Sequence, residues 1–449
     1  MRYLFTGVVL LSLLSGCAHV KQDDGLNKYA QGLLYEGEDR TDEAIAAYRE
    51  TIRKSGENSY LYVKLGNLYL KKKDSAEARK AFSRALKLDA EKHDALFGMG
   101  VAYLLEKNSG QAAAYIEKGL RIEKNNHSAR MLLCDLYTGM NKLEEAAVHY
   151  EYLLKEFPEN YIFHYNYGNI LERMDRDEEA ESSYLKTIEL ADFFWKAYFS
   201  LGLLYNKQGK EDKTVEYLAK SVQLNPADGV SYSFLSSIYY KKGDAGKALY
   251  YAEEAIRHGI KTAEFYNFLG LIYSDGENYG KAEENFRESL KIEESSSVRF
   301  YLGAMYDKTE RRDKMEIEMR KAIELNPDNA LALNYLGYTY LQEDRNIEEA
   351  YLMIKRACEL EPDNGAFLDS LGWAYYKMGK YDLAGEYLEK AASLEKDAEI
   401  FEHLGYLYMK KGKYHESLLW FTKSYETGGK ADLLEIIEEV KKRIQNGVN

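Results

Sequence analysis

The sequence repeats itself about every 34 residues, and that period constrains the fold more than any other feature. A Leu-Gly-x-x-Tyr core stands at Leu65-Gly66…Tyr69 and recurs at Leu201-Gly202…Tyr205, Leu269-Gly270…Tyr273, Leu302-Gly303…Tyr306, Leu336-Gly337…Tyr340, Leu371-Gly372…Tyr375 and Leu404-Gly405…Tyr408. Weaker copies centred on Gly32, Gly100, Cys134, Gly168 and Ser236 fill the gaps. Spacing is 34 residues from Gly32 to Gly270, then 33, 34, 35 and 33. Twelve residues after the glycine an alanine follows at Ala44, Ala78, Ala112, Ala146, Ala180, Ala248, Ala282 and Ala384, with Ala350 one later. Glycine inside a helix costs about 1 kcal/mol against alanine, yet ten of twelve copies keep it. A close helix–helix approach must offset that cost, with the later alanine expected as the opposing small surface. The tyrosine three residues on fills space beside that approach. All 4 prolines (Pro158, Pro226, Pro327 and Pro362) fall where a copy ends, as a residue that stops a helix should.

Composition agrees with helix. Proline is scarce, and 45% of the 449 residues are hydrophobic, enough for a core and too many for disorder. A net charge of −13 with interspersed basic residues excludes nucleic acid and discourages broad adsorption on anionic lipid.

This pattern resembles the tetratricopeptide repeat, W-x2-L-G-x2-Y…A-x3-F…P at period 34. The resemblance implies an all-α, right-handed superhelical solenoid in which each helix hairpin touches only its neighbours. Twelve units are expected at 25–58, 59–92, 93–126, 127–160, 161–194, 195–228, 229–262, 263–295, 296–329, 330–364, 365–397 and 398–431. Residues 432–449 are expected to hold a capping helix, with Leu433, Ile437, Val440 and Ile444 on one stripe.

Residues 1–16 read as an export signal: Arg2, an apolar run from Tyr3 to Leu14 that is short for a bilayer span, then Leu14-Ser15-Gly16-Cys17. That ending resembles the lipobox of bacterial lipoproteins, which implies acylation of Cys17 and cleavage before it. Cleavage would remove only Arg2, taking the charge to −14. Ala18 stands where such lipoproteins often carry an inner-membrane retention aspartate, so the expected place is the outer membrane, facing the periplasm. Residues 17–24 are then the lipidated cysteine and a tether, whose seven residues after Cys17 reach about 23–25 Å. The block from Asn334 to Trp373 also resembles a segment of bacterial envelope tetratricopeptide proteins, outer-membrane lipoproteins among them.

No catalytic constellation stands out. The eight histidines form no HExxH, and there is no CxxC, Walker loop or GxSxG, so no metal, cofactor or enzymatic activity is expected. Glu144-Glu145, Glu178-Glu179 and Glu348-Glu349 read as helix-start acids rather than acid/base pairs. Cys134 and Cys358 lie six units apart and should not meet.

Binding remains. In the family, positions 2, 5, 9, 12 and 13 of each first helix line the concave face. One candidate surface is polar: Tyr165, Asn169 and Arg173, then Lys196, Asn206 and Lys207, then Ser233, Ser237 and Lys241. The other is an aromatic ladder: Asn334, Tyr338 and Leu341, then Asp369, Trp373 and Tyr376, then Glu402, Tyr406 and Met409. The ladder suits an extended peptide or amphipathic helix, although packing between adjacent first helices would explain Trp373 equally and Tyr406 better. The carboxylate clamp of chaperone-binding arrays is absent, because Val63 and Tyr165 stand where its lysine belongs. The expected function is a scaffold or adaptor for envelope proteins during assembly of a pilus, secretion or polysaccharide-export machine. The alternative is a glycan-binding accessory protein, with Trp373, Tyr376 and Tyr406 stacking on sugars while Asp369 and Asn334 bond hydroxyls. The sequence leaves partner identity and oligomeric state open.

Overall fold

The computed structural model describes residues 24–428 and 430–445. The expected signal, Cys17, most of the tether and residues 446–449 lie outside them. Among the described residues are 25 α-helices, twelve pairs and a terminal one. Each pair has a first helix, A, such as Ser59–Lys71, and a second, B, such as Ser75–Leu88. None is long and apolar enough to cross a membrane. The helices cluster into two compact halves that meet in sequence at Asn225–Pro226.

The hairpins form because polar residues stop and restart the helices at fixed places. A left-handed residue turns A into B: Asp39 (φ 62), Asn141 (φ 58), Asp175 (φ 56) and Asp344 (φ 51) among others, with Gly209, Gly243, Gly379 and Gly412 in four units. Asp74 and Asn108 then accept from the backbone N–H of Glu77 and Gln111, capping the B helices. The paired glutamates indeed occupy first turns of B helices.

The repeat glycine lies against the backbone of the expected alanine, with a Cβ on Gly100 reaching 3.2 Å from the Ala112 carbonyl oxygen and one on Gly337 3.0 Å from that of Ala350, and it also admits a large side chain from the same B helix. A Cβ on Gly66 would lie 2.4 Å from the Phe82 ring, and one on Gly270 or Gly405 about equally close to Phe286 or Phe421, at 2.7 and 2.6 Å. The filler sits four residues beyond the alanine, one helical turn on. One of the two exceptions obeys the same sterics. Ser236 replaces glycine where the residue opposite has shrunk to Ala252, and its hydroxyl donates to the Ala248 carbonyl at 2.7 Å. Cys134 is fully buried, and Cys358 nearly so; burial pushes both thiols up to about 12. Both are free.

The repeat tyrosines do more than fill space. Six of their hydroxyls reach back to a glutamate on the preceding B helix, among them Tyr137 to Glu117 (2.6 Å), Tyr205 to Glu181 (2.7 Å) and Tyr306 to Glu283 (2.7 Å), whereas Tyr375 meets Tyr351. Each such bond joins two hairpins. Tyr306→Phe should lower stability by about 1.5 kcal/mol, the worth of a hydrogen bond to a charged acceptor. Urea unfolding would measure it, and no loss would mean the ring alone carries the contact.

The terminal helix Leu433–Gln445 buries Leu433, Ile437 and Val440 against Phe421 and covers the apolar face of the last hairpin.

Candidate functional site

In the C-terminal half, the A helices Ala330–Gln342, Gly365–Lys377 and Ala398–Lys410 are linked by one polar chain. His403 Nδ1 lies 2.9 Å from both carboxylate oxygens of Asp369. His403 Nε2 lies 3.4 Å from the Tyr338 hydroxyl, which donates to Glu399 at 2.5 Å. Because the Tyr338 proton goes to Glu399, the contact with His403 is satisfied by an Nε2–H. Nδ1 needs its own proton to face the carboxylate, so the geometry describes an imidazolium. Asp369 and His403 are each only 5% exposed. Burial disfavours both charges, yet the Asp369 carboxylate outweighs it at His403, whose pKa is raised. Burial likewise raises Asp369, with His403 opposing.

Trp373 completes the cluster. Its ring stacks on His403 (4.1 Å, 14°) and on Tyr376 (4.5 Å, 5°). A cation against an indole face is favourable.

Several expected groove residues are therefore occupied. Leu341 is fully buried in the core and presents nothing to a guest. The Asp369 carboxylate is committed to His403 and out of reach of a sugar hydroxyl. Tyr406 packs edge-on against Phe421 at 5.0 Å, and both it and Met409 contact the cluster under the terminal helix. Glu402, Tyr338, Tyr376 and Asn334 are half-buried. The Asn334 side-chain oxygen is buried with no hydrogen-bond partner, as is that of Asn267, at the fifth position of its own A helix.

Two of the six polar candidates of the N-terminal half, Arg173 and Lys207, join neighbouring hairpins. Arg173 donates to Asn141 at 2.9 Å, and Lys207 to Asp175 at 2.9 Å and Asp177 at 3.0 Å. Lys71 with Asp39 repeats this latch, as does Lys377 with Asp344 in the other half. In each case the thirteenth residue of an A helix grips the left-handed turn residue of the hairpin before it. Asn169 accepts from the Tyr184 hydroxyl at 2.8 Å, and Tyr165 lies edge-on to Phe194 at 5.1 Å. Lys196 and Asn206 are exposed, the lysine over the Trp195 ring.

An open groove does exist nearby in sequence. Ser233 and Ser237, expected to be polar groove residues, line one of about 400 Å³ together with Phe234, Ile260, Phe265 and Phe268. Lys241 is exposed at the end of the same helix. This groove lies within the C-terminal half and pairs aromatic walls with hydroxyls, the mixture that peptide sites use. Phe234 and Phe268 stand at the sixth and Phe265 at the third position of their A helices, outside the five positions that line the concave face in the family.

Stacked hairpins with tight turns, glycine-seated rings and such a groove define a helical-repeat scaffold. Models described as "Tetratricopeptide repeat" match residues 29–90, 63–127, 133–193, 196–228, 263–296, 298–329, 318–351, 367–397 and 398–427. The chain belongs to the tetratricopeptide-repeat family. It is 41% identical over 58 residues to a TPR repeat-containing protein of Methanocaldococcus jannaschii, covering 13% of this chain and 10% of that protein. It is 33% identical over 92 residues to one of Pseudomonas aeruginosa, covering 20% and 16%. The chain thus spans a small part of these relatives. A chain of the APC/C hetero-tetramer Cut9-Hcn1 is similar in structure at 13% identity and a TM-score of 0.46, covering 97% of this chain and 99% of that one. Repeats of this family bind proteins and peptides, and the array is a protein–protein interaction scaffold.

Proposed function

We propose that this scaffold is exported, anchored through an acylated Cys17 to the periplasmic face of the outer membrane, and holds envelope proteins while a pilus, secretion system or polysaccharide exporter is assembled. The carrying observation is Leu14-Ser15-Gly16-Cys17 placed seven residues ahead of a repeat array. The groove of Phe234, Phe265 and Phe268 is the surface for an incoming segment. It would take one or two large apolar side chains, with Ser233 and Ser237 bonding the backbone beside them.

No enzymatic role is assigned. Tyr338, His403 and Asp369 are ordered like an acid–base relay, but two members are buried and the tyrosine hydroxyl is held by Glu399. The glycan reading loses Asp369 for the same reason, and Trp373 already stacks on two rings of the protein itself.

A photo-crosslinking residue at Phe268, irradiated in living cells, should yield one abundant envelope protein as adduct. Labelling with an alkyne fatty acid should mark the protein, and Cys17→Ser should abolish the mark. Adducts only with cytosolic proteins, or an unlabelled wild type, would refute the envelope assignment.

A further inference from the structure

The two ends of the repeat series are finished differently. At the C-terminal end a dedicated helix covers the last apolar face. At the other, helix Asp24–Gly37 carries Leu26 (65% exposed), Ala30, Leu33 (41%) and Leu34 (59%) at i, i+4, i+7 and i+8, a single apolar stripe. One repeat later, the residue equivalent to Leu34 is Leu68, only 3% exposed, and after it Ala102 at 0%. Position ten of an A helix is a core position that Leu34 leaves open, and no described residue covers it.

The polar neighbours of the stripe are already paired within the chain. Asp24 meets Lys54, Lys28 donates to Gln31, Glu36 accepts from Tyr48 and Lys64, and Glu38 meets Arg40. A net charge of −13 gives no general attraction to anionic headgroups, so any lipid contact here must be apolar.

We propose that this stripe seats in the bilayer surface, laying the first hairpin on the membrane. The inference rests on the acylated Cys17 of the proposed function. Seven residues after Cys17 reach about 23–25 Å when extended, and a 14-residue helix is about 21 Å long. The whole stripe therefore lies within reach of the headgroup region. Amphipathic helices lie in that plane with their apolar face about 5–10 Å deep. The acyl chains would supply proximity, and the leucines would fix which side of the hairpin faces the lipid.

The test uses the full-length lipidated protein in phosphatidylethanolamine/phosphatidylglycerol vesicles containing doxyl-labelled lipid. A fluorophore is placed in turn at Leu34→Cys, at Val20→Cys in the tether, and at Leu352→Cys, an exposed position (64%) far along the chain. Quenching at position 34 should match that at 20 and exceed that at 352 several-fold. A Leu26→Ser/Leu33→Ser background should return position 34 to the level of 352 without unfolding the chain. Quenching at 20 with none at 34 would overturn the stripe while leaving the anchor intact. No quenching at either, with no acyl mass on Cys17, would overturn both. Self-quenching between labels at 34 would overturn the stripe's lipid contact in favour of a second copy.

Discussion

Asp369→Ala should cost about 3–5 kcal/mol, among the largest losses any single substitution would cause in this chain. The figure follows from stranding a buried charge. Removing one partner of a buried pair leaves the other desolvated and uncompensated, and His403 is 5% exposed with Tyr338 as its one other hydrogen-bond contact among the described residues. Asp369→Asn/His403→Gln, which removes both charges and keeps the shapes, should cost far less, because replacing both members of a buried pair is often close to neutral. Urea unfolding of the three proteins, followed by tryptophan emission, decides it. If the double variant lost as much as the single, packing rather than charge would hold these helices together.

The pair also gives stability a pH dependence of defined sign. The groups facing His403 are Asp369, Glu399, Glu402 and Tyr338. Its raised pKa means the folded chain holds a proton that the unfolded chain releases near pH 6.5. The resulting stability is fully present below about pH 6.5 and is lost as pH rises through the folded-state value. The raised pKa of Asp369 acts in the same direction. Wild type minus double variant should therefore fall as pH rises above about 6.5.

How much of this was legible in the sequence depended on whether the information was periodic. Gly66, Tyr69 and Ala78 return at fixed intervals, so the hairpin and its close approach could be read. The side chain that fills the approach beside the alanine was not legible because it varies in identity, from Phe82 to Leu218 to Met319, while the alanine is nearly constant. Site residues are harder, since one A helix can present the same position to a guest or to a neighbouring hairpin. Arg173 and Lys207 looked like groove residues, yet they grip turn residues about one period earlier. The Asp369–His403 pair carried a signal that went unread: the two stand 34 residues apart, one full repeat, on facing A helices. A charged residue matched to a histidine at the repeat spacing is a testable sign of an inter-repeat bond.

Phe82→Ala should cost about 3–5 kcal/mol, the usual range for emptying a buried aromatic site. Phe82 is fully buried, and its ring is seated between two glycines. Added Cβ atoms would approach it to 2.4 Å from Gly66 and 2.2 Å from Gly98, so the ring joins successive A helices. In the wild type, Gly66→Ala should destabilise: overpacking costs about 1–3 kcal/mol, against about 1 kcal/mol regained from helix propensity. In the Phe82→Ala background the same substitution should stabilise, because the space is vacant and the propensity gain remains. The sign should therefore reverse, a coupling within the range of about 0.5–3 kcal/mol seen for residues in contact. Ser236 opposite Ala252 is the chain's own precedent for that exchange of volume. Denaturant unfolding of the four-member cycle measures the coupling. Amide exchange should confine the change to units one to four, since a repeat array transmits strain only to its neighbours. Additive effects across the cycle would show that the ring and the glycine are not bearing on each other.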